Sequence, residues 1–451
     1  MAGFLDRSRT IAPAGYNRWL IPPCALCIHL AIGQVYAFSV FNDPMTRLIG
    51  ISEPAPGDWS LATLGWIFSI AIAVLGLTAA TAGRWLERVG PRKGMFVAAL
   101  FWAGGFLVAG AGAAVHNLWL VYFGYGVLGG IGLGLGYISP VKTLIRWFPD
   151  RPGMATGLAI MGFGGGAMIG SPLAVNLMNA FSGPGSVGVA ATFVTMGLIY
   201  LVFMMVGAFA VRVPAEGWSP AGWTAPAAPR RLQTTRNVHV DVAIRTRAFW
   251  LVWAVLCLNV TAGIGVLGQA SVMSQEMVGV SAAAAAGFVG LLSLANMLGR
   301  FFWASLSDVI GRKATYSTFF ILGLLLYAAV PTLAGWGVAP FVIAYLVILT
   351  MYGGGFATVP AYLRDLFGTD YVGAIHGRLL TAWSVAGVLG PVLVNYLREA
   401  QIASGVPPAQ AYSLTMYVMA GLLAVGLVCN LAIRAVAERN YLPADSAPAN
   451  A

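Results

Sequence analysis

One arginine in this chain stands where a charge is hardest to keep. Arg300 lies inside an apolar run, eight residues before Asp308. At roughly 1.5 Å per helical residue, that places it about 12 Å inside a hydrocarbon core about 30 Å thick. A guanidinium at that depth must face a bundle interior and find a partner there. Ser293, Asn296, Arg300 and Ser307 fall at helical spacing along one polar stripe. No Asp or Glu sits deep in any apolar run. The expected partner is therefore a substrate anion, with Asn296 one turn away as a neutral helper. The alternative is a structural arginine bonded to backbone carbonyls at helix breaks. Further candidates lie on other apolar runs. His29 and Tyr36 share a helix face, with Gln34 nearby, and Tyr137 ends a stripe of glycines. Tyr352 precedes Gly353-Gly354-Gly355, and His376 and Trp383 share a face of one helix. Tyrosine hydroxyls donate to carboxylates and aromatic rings shape small cavities, although each of these side chains also suits ordinary packing.

The elements that must position these residues are membrane helices. Of the 451 residues, 59% are apolar and 9% charged, far below the one-quarter charge of a soluble domain. The 57 glycines suit close helix contact in a membrane. Twelve apolar runs are long enough to span, at about 19–41, 60–83, 95–115, 118–140, 153–180, 189–211, 249–270, 284–306, 314–335, 338–361, 371–397 and 410–434. All must be helical, because lipid gives the backbone no hydrogen-bond partner. No cleavable signal peptide is evident. With the N-terminus cytoplasmic, every Lys and Arg except Arg47, Arg398 and the deep Arg300 falls on the cytoplasmic side, which is the positive-inside signature. Topology thus explains the net charge of +10 without nucleic acid. The reading is an all-α membrane protein of an inner (cytoplasmic) membrane, monomeric, with both termini cytoplasmic. Its organisation is a tail (1–18), a six-helix half (19–211), a Pro- and Arg-rich linker (212–248), a second six-helix half (249–434) and a tail (435–451).

The two halves echo each other at an offset near 220 residues. Gly153, Gly157 and Gly170 align with Gly373, Gly377 and Gly390, and Pro140 aligns with Pro360. Parallel half-repeats of this kind place a substrate site near the midplane, between the halves. The segment Gly83–Lys93 joins the second and third helices, and Ser307–Lys313 repeats its pattern. Glu87, Arg88 and Arg92 in the first, with Asp308 and Arg312 in the second, suit a breakable charge gate that locks one access state. They also suit simple marking of a cytoplasmic loop. Cys24 and Cys27 form a C-x-x-C inside an apolar run and read as packing. No P-loop lysine, metal cluster or acid–base pair is present in the apolar part. The expectation is no enzyme, no metal and no cofactor.

The segments Gly33–Phe41, Trp147–Gly157, Met161–Ala167 and Ala374–Gly377 resemble the oxalate/formate antiporter family of the major facilitator superfamily, over nearly the whole chain. Related monocarboxylate porters look similar around the eighth helix. The Gly83–Lys93 segment resembles the superfamily's loop signature, with Glu87 where an Asp is usual. The resemblance implies a twelve-helix major facilitator fold and alternating access by rocking of the halves. It also implies that Arg300 grips a substrate carboxylate and that Gln34, Tyr36 and Tyr137 line the pocket. Oxalate-carrying members pair this arginine with a lysine in helix eleven, where Trp383 stands here. Monocarboxylate porters often carry an Asp where Asn296 stands, which leaves the proton carrier unidentified.

These readings converge on a secondary transporter of a small monocarboxylate such as lactate, pyruvate or formate. Its partners are the bilayer, the anion, and either a proton moving with it or a counter-anion exchanged against it. Oxalate/formate exchange is the alternative within transport. A non-transporting carboxylate sensor on the same fold is the alternative outside it.

Overall fold

The structure is a computed structural model that describes residues 3–224 and 232–443. Pro226, Pro229, Arg230 and Arg231 of the expected linker, and the ends of both expected tails, lie outside the described residues. Among the described residues, twelve helices are long and apolar enough to cross a bilayer. They are α1 (Arg18–Met45), α2 (Thr63–Val89), α3 (Pro91–Ala114), α4 (Leu118–Trp147), α5 (Pro152–Phe181) and α6 (Val189–Ala210), then α7 (Arg247–Val278), α8 (Gly287–Ile310), α9 (Arg312–Gly335), α10 (Val338–Phe367), α11 (Val372–Ala403) and α12 (Ser413–Ala432). The first six form one half of the bundle and the last six the other. A minimal antiparallel hairpin, β1 (Ser182–Gly183) on β2 (Ser186–Val187), joins α5 to α6.

Several helices run past the apolar segments that announce them. Helix α2 continues to Val89, α4 to Trp147 and α10 to Phe367. The added turns carry charged side chains that pair at the bundle's end, so hydropathy alone misses them. Gly83–Lys93 is consequently no loop. A single residue, Gly90 at φ +82°, turns the chain from α2 into α3, and Gly311 at φ +88° turns it from α8 into α9. Glycine alone adopts this conformation without steric penalty.

Three helices are irregular within the membrane. Helix α1 is α-helical over Ile21–Gly33 and a 3₁₀ helix over Gln34–Phe41. Helix α4 has a π-helical stretch over Tyr122–Leu128. Helix α11 breaks at Leu380, between Val372–Leu379 and Thr381–Ala403. Such backbone is tolerated at membrane depth where protein surrounds it or a cavity borders it. The glycine stripe of α4 serves the close packing expected of it. A Cβ on Gly134 would lie 2.6 Å from the Leu75 carbonyl oxygen of α2. A Cβ on Gly132 would lie 2.5 Å from the Trp102 nitrogen of α3.

The halves are fastened at the end of the bundle that carries the N-terminus. Asp308, closing α8, accepts the backbone N–H groups of Gly153 and Met154 at the start of α5, each at 2.8 Å. Glu87, near the end of α2, accepts the N–H of Ala374 at the start of α11 at 3.1 Å. Each acid thus sits on the unsatisfied N–H groups and positive dipole end of a helix in the opposite half. Basic partners add to both. Lys142 lies 3.5 Å from Glu87. Arg312 bridges Asp308 at 2.7 Å and Asp365 at 3.1 Å. Two expected gate residues stand elsewhere. Arg88 is exposed. Arg92 donates to the Phe4 and Val211 carbonyls at 3.0 and 3.3 Å, within the first half. Arg88 follows Glu87 directly on α2 and so projects to another face, and Arg92 lies beyond the Gly90 turn on α3.

A short helix at Val240–Ala243, in the chain between the halves, ties the same end together. Its Asp241 accepts from Arg378 of α11 at 2.9 Å and from Arg84 of α2. Burial, then the Arg84 and Arg378 charges, hold the neighbouring His239 imidazole below its ordinary pKa. Toward the opposite end the fastening stops. Among the described residues, the inter-half hydrogen bonds farthest from the N-terminal face are Ser384 Oγ to the Ile72 carbonyl and Tyr36 Oη to Tyr352 Oη, both 3.1 Å. Beyond them Gly65, Gly268 and Gly287 look into open space.

Two outcomes follow from this packing. Gly134→Val should destabilise the purified protein by about 1–3 kcal/mol through overpacking, read as a lowered Tm; an unchanged Tm would mean that α2 and α4 are not closely packed. Glu87→Gln and Asp308→Asn should each weaken the fastening by roughly 1–2 kcal/mol, a factor of about 5–30 in the ratio of open to closed populations. Electron–electron distances between spin labels on the adjoining ends of α2 and α11 should lengthen. Unaltered distances in both variants would show that these carboxylates serve topology alone.

Candidate functional site

Arg300 is fully buried, with 0% of its surface exposed. Glycines let the neighbouring backbones close on it. A Cβ on Gly164 of α5 would lie 3.1 Å from Arg300 Nε, and one on Gly353 of α10 3.1 Å from its Cγ. The Gly353-Gly354-Gly355 run therefore positions the site rather than forming it. Within α8, Arg300 Nε donates to Asn296 Oδ1 at 3.1 Å, the one-turn relation expected from the stripe. Nη1 makes a long bond of 3.4 Å to the Ile160 carbonyl of α5. Nη2 has no partner, and no carboxylate pairs with this guanidinium among the described residues. The expectation of carbonyl ligands is met by that one long contact, which leaves most of the group's hydrogen-bonding capacity unspent.

Two aromatic rings flank the guanidinium, and four more pack on those two. Its carbon lies 5.2 Å from the Phe356 ring centroid and 5.6 Å from that of Phe163, within cation–π range. Trp383 packs on Phe356 at 4.6 Å, on Phe163 at 5.3 Å and on Tyr137 at 5.4 Å. Tyr36 meets Phe163 edge-on at 5.1 Å and bonds Tyr352 through its hydroxyl, closing the group from the side where the halves part. The Trp383 indole N–H is buried without a partner, and the Tyr137 hydroxyl makes no close hydrogen bond but lies within interaction range of Arg300. Both are hydrogen-bond donors, as is Arg300 Nη2. The set combines one fixed positive charge with two neutral donors between apolar walls, a chemistry complementary to an anion. It contains no nucleophile paired with a base.

The sequence-derived candidates sort into two groups. Arg300, Asn296, Tyr36, Tyr137, Tyr352 and Trp383 come together. Gln34 does not join them. Its Oε1 accepts from Tyr125 at 3.0 Å inside the first half, because residues two apart on a helix do not share a face and Tyr36 takes the central one. His29 is a tie rather than a wall. Its Nδ1 meets the Ala159 carbonyl and its Nε2 the Tyr137 carbonyl at 3.1 Å, linking α1 to α5 and α4. His376 lies behind Tyr137, ring centroids 6.0 Å apart, with neither nitrogen partnered. Phe163 and Phe356 are the residues that sequence reasoning missed. Phe356 lies one turn beyond Tyr352 on the same face of α10. Phe163 lies within the glycine-rich Met161–Ala167 segment and is its one ring.

Comparison with known proteins bears on the family and the fold. The oxalate:formate antiporter of Oxalobacter formigenes is 26% identical over 375 residues, covering 83% of each chain. Apicoplast pyruvate carrier 1 of Toxoplasma gondii is 24% identical over 421 residues, covering 77% of this chain and 74% of its own. The solved structure of the E. coli fucose:proton symporter FucP superposes with a TM-score of 0.66 at 14% identity, covering 93% of this chain and 100% of that one, a likeness of fold alone. The sequence profile of the Major Facilitator Superfamily matches residues 24–391. Twelve spanning helices in two joined halves, and that match across most of the chain, make this protein a member of the Major Facilitator Superfamily.

Proposed function

We propose that this transporter carries a small monocarboxylate, bound through its carboxylate to Arg300, by alternating access. The observation that carries the reading is a fully buried guanidinium without a carboxylate partner, flanked by two further donors that make no close hydrogen bond. A charge at that depth needs a counter-charge, and an anion arriving from outside supplies it. The apolar walls formed by Phe163, Phe356 and Trp383 suit a short alkyl or hydroxyalkyl tail. The names of the relatives are consistent with this class, since one is an oxalate:formate antiporter and another a pyruvate carrier. The Tyr137 hydroxyl comes from the first half, and Arg300 and the Trp383 indole come from the second, so an anion held by all three touches both bodies that rock. The N-terminal face, rich in Arg and Lys, is the cytoplasmic one in this reading, and the membrane is the inner one.

Selectivity against oxalate follows from the count of cations. One deep cation neutralises one negative charge, and a dianion would leave a second charge desolvated, a penalty of several kcal/mol. The indole of Trp383 offers a single N–H. Oxalate/formate exchange is the second reading, favoured by the match to the Oxalobacter antiporter. The coupling partner is a proton or a second anion. The titratable groups nearest the site, apart from tyrosines, are His29 and His376, and their protonation would add the missing charge at low pH.

Two experiments in proteoliposomes test this reading. Arg300→Ala should lower uptake of labelled lactate, pyruvate or formate by about 100-fold, in line with the roughly 2–5 kcal/mol lost on breaking a buried charge contact, while the protein still folds. Arg300→Lys should recover little of it, having lost the planar fork. Near-normal uptake by the alanine variant would end the assignment. In competition, excess pyruvate or acetate should inhibit uptake of labelled formate or lactate more strongly than oxalate at neutral pH, and Trp383→Lys should move the preference toward oxalate. Oxalate inhibiting more tightly than every monocarboxylate would refute the single-cation argument, and repetition at lower pH would show whether histidine protonation changes the order.

A further inference from the structure

At the N-terminal face of the second half, four arginines from separate segments line one groove. Arg245 ends the chain that leads into α7, Arg247 opens α7, Arg434 follows α12, and Arg439 lies in the segment beyond it. The groove is open, with a volume of about 510 Å³, and all four side chains are exposed. None has a carboxylate partner among the described residues. The other arginines at this end of the second half contrast with them. Arg312 and Arg364 pair with Asp365, Arg378 with Asp241, and Arg236 with Glu438. Net positive charge on one side of a membrane is what topology requires. Topology does not require that four arginines without acids be gathered into one groove while the other arginines at this end of the second half each hold one.

The groove borders the lipid side of the bundle. Trp250, one turn into α7, is 56% exposed and anchors its indole N–H on the Ile244 carbonyl at 2.9 Å. Leu431, in the last turn of α12, is 57% exposed. An exposed tryptophan and leucine beside a ring of arginines match the boundary of a bilayer, where an indole sits at headgroup level and acyl chains begin. Guanidinium groups bind phosphate oxygens through paired N–H donors. We propose that this groove binds the phosphate headgroup of an anionic phospholipid, with two phosphates, as in cardiolipin, filling it best. The lipid bridges α7, α12 and the segments flanking them, so its binding ties the chain that joins the halves to the body of the second half.

The test uses the purified full-length protein in detergent, with thermal stability as the readout. Added cardiolipin should raise the Tm clearly, phosphatidylglycerol less, and phosphatidylcholine not at all. The combined variant Arg245→Gln, Arg247→Gln, Arg434→Gln and Arg439→Gln should lose at least three-quarters of the cardiolipin shift, a loss on the order expected when most phosphate contacts are removed. The pair Arg434→Gln and Arg439→Gln, less demanding on folding, should lose about half of it, since half the contacts remain. A control that removes equal charge from the same face of the first half, Arg9→Gln, Lys93→Gln, Arg151→Gln and Arg212→Gln, should keep the shift. The proposal is overturned if cardiolipin does not stabilise the wild-type protein, or if the groove variants respond as the wild type does. It is equally overturned if the control loses the shift as fully as the groove variant, which would reduce the effect to net charge. Inorganic phosphate stabilising as much as cardiolipin would make this a free-anion site and overturn the lipid assignment. None of these readouts depends on which anion the central site carries.

Discussion

A guanidinium kept out of water and left without a fixed counter-ion is the constraint around which this bundle is organised. Its desolvation is expensive in a low-dielectric interior, and the surroundings recover part of that loss through soft contacts. Asn296 accepts one N–H, the Ile160 carbonyl accepts another at long range, and the faces of Phe163 and Phe356 offer their negative quadrupoles. Those contacts demand close approach of three backbones, and the approach demands glycine at 157, 164 and 353. The glycine content of the chain and the charge at its centre are thus two sides of one problem.

The same centre decides where the halves can part. Tyr36, Tyr137 and Phe163 come from the first half, and Arg300, Tyr352, Phe356 and Trp383 from the second. On one side of this cluster, carboxylates lie on helix ends of the opposite half. On the other, the outer portions of α2, α7 and α8 have open space around their glycines. The irregular stretches of α1 and α11 begin at Gln34 and at Leu380, beside Tyr36 and Trp383. Rings of the central cluster are therefore carried on the segments of backbone most able to change pitch. Mid-helix 3₁₀ stretches often mark hinges.

The sequence made the twelve spans legible because a bilayer filters composition so strongly that about 20 apolar residues in a row admit few other readings. The ends of those spans were not legible. Charged turns such as Leu86–Val89 and Leu363–Phe367 are helical only because their acids find N–H groups and arginines on distant segments. Arg300 and Asn296 were readable from spacing alone. Tyr36, Tyr137, Tyr352 and Trp383 were readable as candidates, but their convergence depends on crossing of helices that no single-helix period encodes. Phe163 and Phe356 escaped because a phenylalanine in an apolar run carries no sign that a cation faces it. Gln34 misled for the opposite reason: a polar side chain near the centre suggests a ligand contact, yet its partner is Tyr125, inside its own half.

The acids at the sealed end grip amides rather than side chains, and every residue type but proline supplies an amide N–H. The seal therefore uses the backbone of the first turns of α5 and α11, and at Gly153 it admits no side chain, because a Cβ there would run into the Ala304 carbonyl oxygen and lie 2.8 Å from Asp308 Oδ1. Those turns are unequal. Helix α5 opens with Pro152, whose fixed φ pre-shapes the first turn. The corresponding place in α11 is Val372, followed by Gly373, and nothing there is pre-shaped. Two clasps of matching chemistry therefore differ in stiffness. If the halves rock as proposed, the α11 clasp is the less rigid of the two, and a parting that starts there would be a peel from one edge rather than a simultaneous release.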